Sequence, residues 1–191
     1  MIVLDFPSAY AVDADDYLAK GLALRDRLKD ETLLSFAFAP HAPHTLSDAT
    51  FARIGTLAEQ LGVPIHTHLH ETEDEIRDSL KQHGVRPLER LARLGLLGPH
   101  FIGVHAVHLN EAEIGTLATH GCHVAHCPSS NLKLASGFAP VAALLEAGVN
   151  LGFGSDGAAS NNRLDVFAEM RLAALLAKGA SGNAAALPAA A

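Results

Sequence analysis

Residues 63–71, VPIHTHLHE, decide the fold class of this chain. The first part of the segment has the composition of a buried β-strand, and the segment ends in histidines followed by Glu71. Two later strand-like runs also end in ionisable side chains, at His105 and Asp156. In a (β/α) barrel, groups at the carboxyl ends of several strands converge above the barrel mouth. The pattern therefore predicts a barrel with an active site at its mouth.

Strand-like and helix-like runs alternate along the chain. The predicted strands cover residues 2–6, 33–39, 63–69, 101–109, 123–127 and 149–154. The predicted helices cover 15–28, 47–61, 72–94 with a break near Gly84 and Pro87, 111–119, 141–147 and 164–178. Ser47 resembles a helix cap, and Gly62 and Gly148 resemble stops after a helix. About six β/α units imply a parallel sheet with right-handed crossovers.

An open doubly wound sheet and a closed barrel both fit this alternation. An open sheet that binds nucleotides usually has a glycine-rich turn after an early strand, and the chain contains neither G-x-G-x-x-G nor a P-loop. Polar side chains instead follow nearly every predicted strand: His41, His68 with Glu71, His105, Ser129 with Asn131, and Asp156. This distribution favours a (β/α) TIM-type barrel.

Length and composition limit the domain count and the partners. The 191 residues are 49% hydrophobic and 18% charged, which fits one globular domain over 1–179 followed by a flexible Ala/Gly-rich tail over 180–191. A net charge of −7 and 5% aromatic residues argue against a nucleic-acid partner. We also expect no membrane partner and a reducing cytoplasmic location, since the chain has two cysteines and no long apolar run.

The histidines and carboxylates indicate a metal-dependent hydrolase. Such a site needs neutral imidazoles and a carboxylate to hold the ion, and a further carboxylate to move protons. His66, His68 and His70 fall on one face of a strand, so periodicity leaves open which of them meets a metal.

Each of these residues also has a purely structural interpretation. Glu71 could belong to the acidic first turn of a helix, Asp156 could be a turn residue, and His105 could be a hydrogen-bonded core residue. A second cluster could instead form a structural zinc site: His120, Cys122, His123, His126 and Cys127.

Four ordered segments resemble the amidohydrolase superfamily: HTHLHET (66–72), GVHAVHL (103–109), HCPSSNLKLASG (126–137) and GSDGAASNN (154–162). The similarity runs from about Leu4 to Lys178 and is strongest to the branch of methylthioadenosine/S-adenosylhomocysteine deaminases and triazine hydrolases. The resemblance implies a metal-dependent barrel that hydrolyses carbon–nitrogen bonds of small heterocyclic substrates.

The resemblance also implies a role for each site residue. His68 and Asp156 match metal ligands for one divalent ion, with zinc expected and iron or manganese also suited to such sites. Glu71 matches a proton shuttle that contacts the substrate ring, and Asp156 matches a base that also contacts substrate. His105 matches a histidine that polarises the attacking water or the leaving group, and His41 one that contacts the substrate's sugar.

The expected reaction is deamination of a cyclic amidine, with a purine nucleoside such as methylthioadenosine or S-adenosylhomocysteine as substrate. Glu71 would deliver a proton to the ring nitrogen and Asp156 one to the departing ammonia. Two alternatives are a hydrolase or dechlorinase of a triazine-like ring, and a catalytically dead remnant that serves as an interaction module.

The chain departs from the family pattern before His68. No earlier segment contains the His-x-His pair that supplies two metal ligands in the family, and the first arginine, Arg25, lies in a predicted helix. We therefore expect a fragment that covers roughly barrel strands three to eight, with an incomplete metal site. Its unpaired strand edges predict a homo-oligomer.

Overall fold

The computed structural model describes residues 1–188. Six strands lie in this range: β1 Ile2–Val3, β2 Ala39–Pro40, β3 Ile65–Leu69, β4 Phe101–His105, β5 His123–His126 and β6 Asn150–Phe153. The α-helices of the same range are α1 Ala14–Leu28, α2 Asp48–Leu61, α3 Glu73–His83, α4 Pro87–Arg93, α5 Glu111–Thr119, α6 Pro128–Lys133, α7 Val141–Glu146 and α8 Val166–Ser181. A 3-10 turn, Pro43–Thr45, lies between β2 and α2.

The strands pair in parallel and in chain order. β3, β4, β5 and β6 form one sheet, in which Leu69 lies opposite His105. β1 and β2 form a short pair, and a parallel bridge between Phe38 and Ile65 connects this pair to β3. The predicted parallel β/α architecture of about six units is confirmed.

The hydrophobic core lies between the sheet and the helices. Val3, Leu69 and Phe101 are fully buried strand residues in one cluster with helix side chains. The largest buried helix residues of this cluster are Tyr17, Leu18, Phe51, Ile54, Leu88, Leu91, Leu117 and Leu144. Full burial of a large aliphatic or aromatic side chain stabilises a fold by roughly 1.5–3 kcal/mol relative to exposure. The core thus fixes the strands whose ends carry the candidate site.

Helix boundaries follow from capping residues. The Ser47 side chain accepts a hydrogen bond from the N–H of Thr50, and Thr72 caps α3 in the same way. Gly62 ends α2 with a φ of 61°, a left-handed conformation that favours glycine because it has no Cβ. The predicted cap at Ser47 and the stop at Gly62 are confirmed.

Three elements differ from the predictions. Most of the predicted strand 33–39 is absent, since Leu33 lies 97% exposed in a turn after α1. The predicted strand 101–109 ends early, because His105 and Ala106 adopt φ values of 72° and 50° that turn the chain out of the sheet. Helix α6 has no counterpart among the predicted helices; Pro128 stands in its first turn, where a missing N–H costs no helical hydrogen bond.

The end of the described range packs against the domain. Helix α8 continues to Ser181, and Ala186 is buried against Val141 and Ala177. Residues 180–188 therefore include helical and packed positions, whereas the sequence predicted a flexible tail from residue 180; residues 189–191 of that tail lie outside the described residues. No helix in the described range is both long and apolar enough to span a bilayer.

Candidate active site

The residues predicted for the site lie at the carboxyl ends of the strands. His70 and Glu71 follow β3, His105 ends β4, and Asp156 lies shortly after β6. His70, His105 and Asp156 all have left-handed backbones, with φ values of 52°, 72° and 56°. Such conformations are unfavourable for residues other than glycine and are found preferentially at functional sites. They turn the chain sharply at the edge where parallel strands end.

His68 lies at the centre of a group of three imidazoles. Its ring centroid is 4.9 Å from that of His41 and 5.3 Å from that of His105. Burial, together with the neighbouring rings of His105 and His41, lowers the pKa of His68 to about 4. His68 is therefore neutral at physiological pH, which is the form that can bind a metal ion.

Glu71 faces this group from the turn after β3. Its Oε2 lies 3.8 Å from Nε2 of His105, and its side chain is 23% exposed. Glu71 precedes the helix cap Thr72, so it stands outside helix α3. Its backbone N–H donates to Oε2 of Glu75 at 2.8 Å. The structure thus places the carboxylate over the strand ends and not within the acidic first turn of the helix.

His105 is buried and bonds to a neighbouring amide. Its Nδ1 lies 2.8 Å from Oδ1 of Asn131, which is also buried. Because an amide oxygen can only accept, Nδ1 is the donor in this contact. The other ring nitrogen, Nε2, is on the side of Glu71.

Asp156 is held by two hydroxyl groups. Ser130 and Ser160 both donate to its Oδ2 at 2.7 Å. Partial burial acts to raise the pKa of Asp156, but these hydrogen bonds outweigh it and hold the pKa below its usual value. The carboxylate is therefore ionised across the physiological range.

His41 lies on the opposite side of His68 from His105. Its Nδ1 is 3.3 Å from the hydroxyl of Thr45, and burial lowers its pKa. A cleft of about 320 Å³ opens here. It is lined by His41, His44, His68, Glu71, Glu75 and Ser136, among others.

A larger cleft of about 620 Å³ lies elsewhere. It is bounded by Gly62, Val63, Gly95 and His100, which precede strands β3 and β4. Barrel active sites form at the carboxyl ends of the strands, so the smaller cleft is the candidate site.

The donor chemistry of two residues fits a metal ion. His68 is neutral and Asp156 is ionised, as ligands must be. Within residues 1–188, however, no three His, Cys, Asp or Glu side chains come close enough together to hold an ion. A metal ion held by His68 and Asp156 would therefore need further ligands.

His66 and His70 do not join His68 in the site. His70 is fully buried: its Nε2 accepts the N–H of Leu88 at 3.0 Å, and its Nδ1 lies 3.6 Å from the Glu113 carboxylate. The left-handed turn at His70 takes it off the strand face that strand periodicity assigned to all three histidines. His66 is exposed and does not line the cleft of about 320 Å³; it borders a separate opening of about 100 Å³, which His41 and His68 also line.

The alternative zinc cluster is not assembled among the described residues. His120 bonds to the carbonyl of Thr116 in its own helix, and His123 bonds to that of Pro99. Cys122 and Cys127 are free and buried, and burial raises the pKa of Cys127 to about 12.

Several supporting residues were not identified from the sequence. Asn131 was noted only as a polar residue after a strand and Ser130 was given no role, yet they contact His105 and Asp156. Ser160 and Asn161 lie within the quoted segment 154–162, and Glu169 lies outside every quoted segment. Only the serine- and asparagine-rich composition of 129–131 and 160–162 could have indicated a hydrogen-bonding role.

Comparison with known proteins agrees with this geometry. The sequence model of the amidohydrolase family matches residues 6–191. The chain belongs to the amidohydrolase family. The resemblance seen in the four sequence segments is thereby confirmed.

Curated relatives in this family carry deaminase names. A 5-methylthioadenosine/S-adenosylhomocysteine deaminase of Teredinibacter turnerae is 50% identical over 187 residues, which is 98% of this chain and 42% of the relative. A relative of the same name from Saccharophagus degradans is 50% identical over 185 residues, which is 97% of this chain and 42% of the relative. The chain thus spans about two fifths of the length of the relatives it matches.

Solved structures of the family have the same fold. An adenosine deaminase from Xanthomonas campestris with bound zinc superposes with a TM-score of 0.96 at 53% identity, over 99% of this chain and 43% of that one. An atrazine chlorohydrolase from Arthrobacter aurescens complexed with zinc gives a TM-score of 0.87 at 26% identity, over 95% of this chain and 42% of that one. The barrel-type fold predicted from the sequence is confirmed.

Proposed function

We propose that this chain carries part of the active site of a zinc-dependent deaminase that acts on 5′-substituted adenine nucleosides. One observation supports this most: the Glu71 carboxylate lies 3.8 Å from Nε2 of His105, beside the neutral ring of His68. The names of the relatives, which include 5-methylthioadenosine/S-adenosylhomocysteine deaminase and 5′-deoxyadenosine deaminase, support the substrate class.

In this proposal the metal ion is held by His68 and Asp156 together with further ligands that the described residues do not supply. When bound, such an ion lowers the pKa of water towards neutrality and so supplies the nucleophile. His41 borders the cleft and contacts the sugar.

The proton transfers are assigned to three side chains. Glu71 takes one proton from the attacking water and donates it to the ring nitrogen of the substrate, since its carboxyl group is partly exposed at the cleft. His105 bonds to Asn131 through Nδ1 and presents Nε2 on the side of Glu71, where it polarises the attacking water. Asp156, whose pKa is low, accepts the second proton of that water and passes it to the departing ammonia.

A triazine-like ring is the second candidate substrate. The zinc-bound atrazine chlorohydrolase supports it, at 26% identity against 53% for the adenosine deaminase. The difference in identity favours the nucleoside. A dead remnant acting as an interaction module remains the alternative from another class, and loss of all activity in the experiment below would favour it.

We further infer a reducing cytoplasmic location and self-association. The buried free thiols of Cys122 and Cys127 suit a reducing compartment. Ile2 of the short strand β1 is 45% exposed, and an exposed strand favours pairing with another chain. Light scattering that showed monomers alone would contradict self-association. If both thiols stayed reduced in an oxidising compartment, their presence would no longer argue for a reducing location.

The activity can be tested in a chimera. The 191 residues would replace the matching 43% of the Xanthomonas campestris adenosine deaminase, to which they are 53% identical. We expect ammonia release from 5′-methylthioadenosine and S-adenosylhomocysteine in the presence of zinc. Release from an aminotriazine alone would favour the second candidate, and a folded, zinc-loaded chimera that released no ammonia would contradict both.

A further inference from the structure

A buried carboxyl group on α8 lies outside the proposed chemistry. Glu169 is 1% exposed, and both of its oxygens accept hydrogen bonds. Oε2 accepts from the backbone N–H of Ser129 at 2.9 Å, and Oε1 accepts from Nδ2 of Asn161 at 2.7 Å. Burial of a carboxyl group is costly unless such partners are present. The two partners belong to different segments, and each segment supports one site residue.

The first segment is α6, which begins at Pro128. The two residues after Ser129 both reach the site: Ser130 donates to Asp156 at 2.7 Å, and Asn131 bonds to Nδ1 of His105 at 2.8 Å. Helix α6 has only 6 residues. So short a helix has little stability of its own, so its position depends on the contacts that hold its first turn.

The second segment is the loop 155–164. Nδ2 of Asn161 also donates to the carbonyl of Ser155 at 2.8 Å, and its Oδ1 accepts from the N–H groups of Arg163 and Leu164 at 3.1 and 3.3 Å. The loop therefore folds around the Asn161 side chain. Asp156, next to Ser155, has an unfavourable φ of 56° that its surroundings must maintain.

We propose that Glu169 is a positioning residue. By hydrogen bonding to both segments, it fixes the position of His105 relative to Asp156. It acts through Ser129 on the helix that orients His105, and through Asn161 on the loop that carries Asp156. The inference rests on the proposed function, because the relative placement of the two side chains matters for the reaction only if they act together. Glu169 itself touches neither of them.

Replacing the carboxylate by an amide tests this role. In Glu169→Gln the side chain has one oxygen and one NH₂ group, so it cannot accept from both Ser129 and Asn161. One contact becomes a clash between two donors, while the size of the side chain is unchanged. The matched control is Glu146→Gln, which makes the same charge change at an exposed position on α7.

Two measurements on the 191-residue chain report on the two segments. Trypsin cleavage after the exposed Arg163, identified by mass spectrometry, reports opening of the loop. We expect it to be at least about 10-fold faster in Glu169→Gln than in the unaltered chain or in Glu146→Gln. The ring ¹⁵N signals of His105 report its hydrogen bond at Nδ1, and we expect them to shift in Glu169→Gln at unchanged pH, whereas Glu146→Gln should leave them in place.

A second variant separates the two segments. Asn161→Ala removes the contact with Glu169 together with the loop's own hydrogen bonds to Asn161, and it leaves the contact between Glu169 and Ser129. It should therefore speed cleavage after Arg163 and leave the His105 signals unchanged. A folded Glu169→Gln variant with unchanged His105 signals and unchanged cleavage would overturn the proposal. If Glu169→Gln does not fold, an Asn161→Ala variant with normal protection of Arg163 would overturn it. Neither measurement needs zinc or substrate, so failure here is distinguishable from failure of the proposed deaminase activity.

Discussion

At the scale of single residues, the surroundings of each ionisable group set its protonation state. His68 is neutral because burial lowers its pKa to about 4, and Asp156 is ionised because Ser130 and Ser160 donate to it. Nδ1 of His105 donates to Asn131. Glu71, which is partly exposed between the cleft and His105, is the group best placed to exchange protons with a substrate.

Glu71→Gln therefore tests the division of labour in the chimera. We expect zinc content to stay the same and turnover to fall at least about 100-fold, as for the loss of a proton shuttle. The measurements are steady-state ammonia release and elemental analysis. Glu73→Gln, at an exposed position in the first turn of α3, is the control and should remain active. Turnover close to normal in Glu71→Gln would show that the assigned role is wrong.

At the scale of elements, strands and helices position the site by where they end. Strand β3 stops at Leu69, and Thr72 then caps α3 by accepting the N–H of Glu75 at 3.3 Å. Glu71 lies between these two boundaries. Its position thus depends on the strand end on one side and on the helix cap on the other.

Removal of the cap should destabilise this turn. Thr72→Ala leaves the N–H of Glu75 without its side-chain acceptor, and we expect a loss of about 1 kcal/mol in the free energy of unfolding. Urea titration followed by circular dichroism measures it. Thr72→Ser keeps the hydroxyl and should retain most of the stability. Equal losses in the two variants would show that the cap does not stabilise the turn.

At the scale of the whole molecule, buried imidazoles make stability depend on pH. Burial lowers the pKa of His68, His70 and His126 to about 4 in the folded chain. Below the ordinary histidine pKa near 6.5, the unfolded chain takes up protons that the folded chain cannot, so lower pH favours unfolding. The low pKa of Asp156 affects stability over a different pH range, because its stabilising contribution is lost only as pH falls below the ordinary aspartate pKa.

We therefore expect the free energy of unfolding to decrease as pH is lowered from 7 to 5. The decrease should approach about 1.4 kcal/mol per pH unit for each fully buried histidine such as His70, once pH is below the unfolded value. Urea titrations at several pH values measure it. His70→Asn should reduce the slope, whereas a change of the exposed His120 should not. A free energy of unfolding that did not vary over this pH range would contradict burial of these histidines in the neutral form.

Patterns that are local in the chain were readable from the sequence. Alternating β and α runs predicted the parallel sheet, and the positions of His68, Glu71, His105 and Asp156 at or just after strand ends predicted that they would meet at one edge. Apolar composition could not separate a strand from a loop at Leu33, where no neighbouring strand supplies hydrogen bonds. Strand periodicity also failed at His70, because a left-handed residue interrupts it.

Family membership and the common edge of the strands were thus determined by the sequence itself, since hydrophobic periodicity and strand-end chemistry are encoded in short segments. Tertiary structure alone decided which polar side chains hold that edge in place. Asn131 meets His105 across 26 residues, and Glu169 meets Ser129 across 40. Such pairs have no fixed spacing in a sequence; they arise because packing of α6 and α8 against the sheet brings buried donors and acceptors together where water cannot satisfy them.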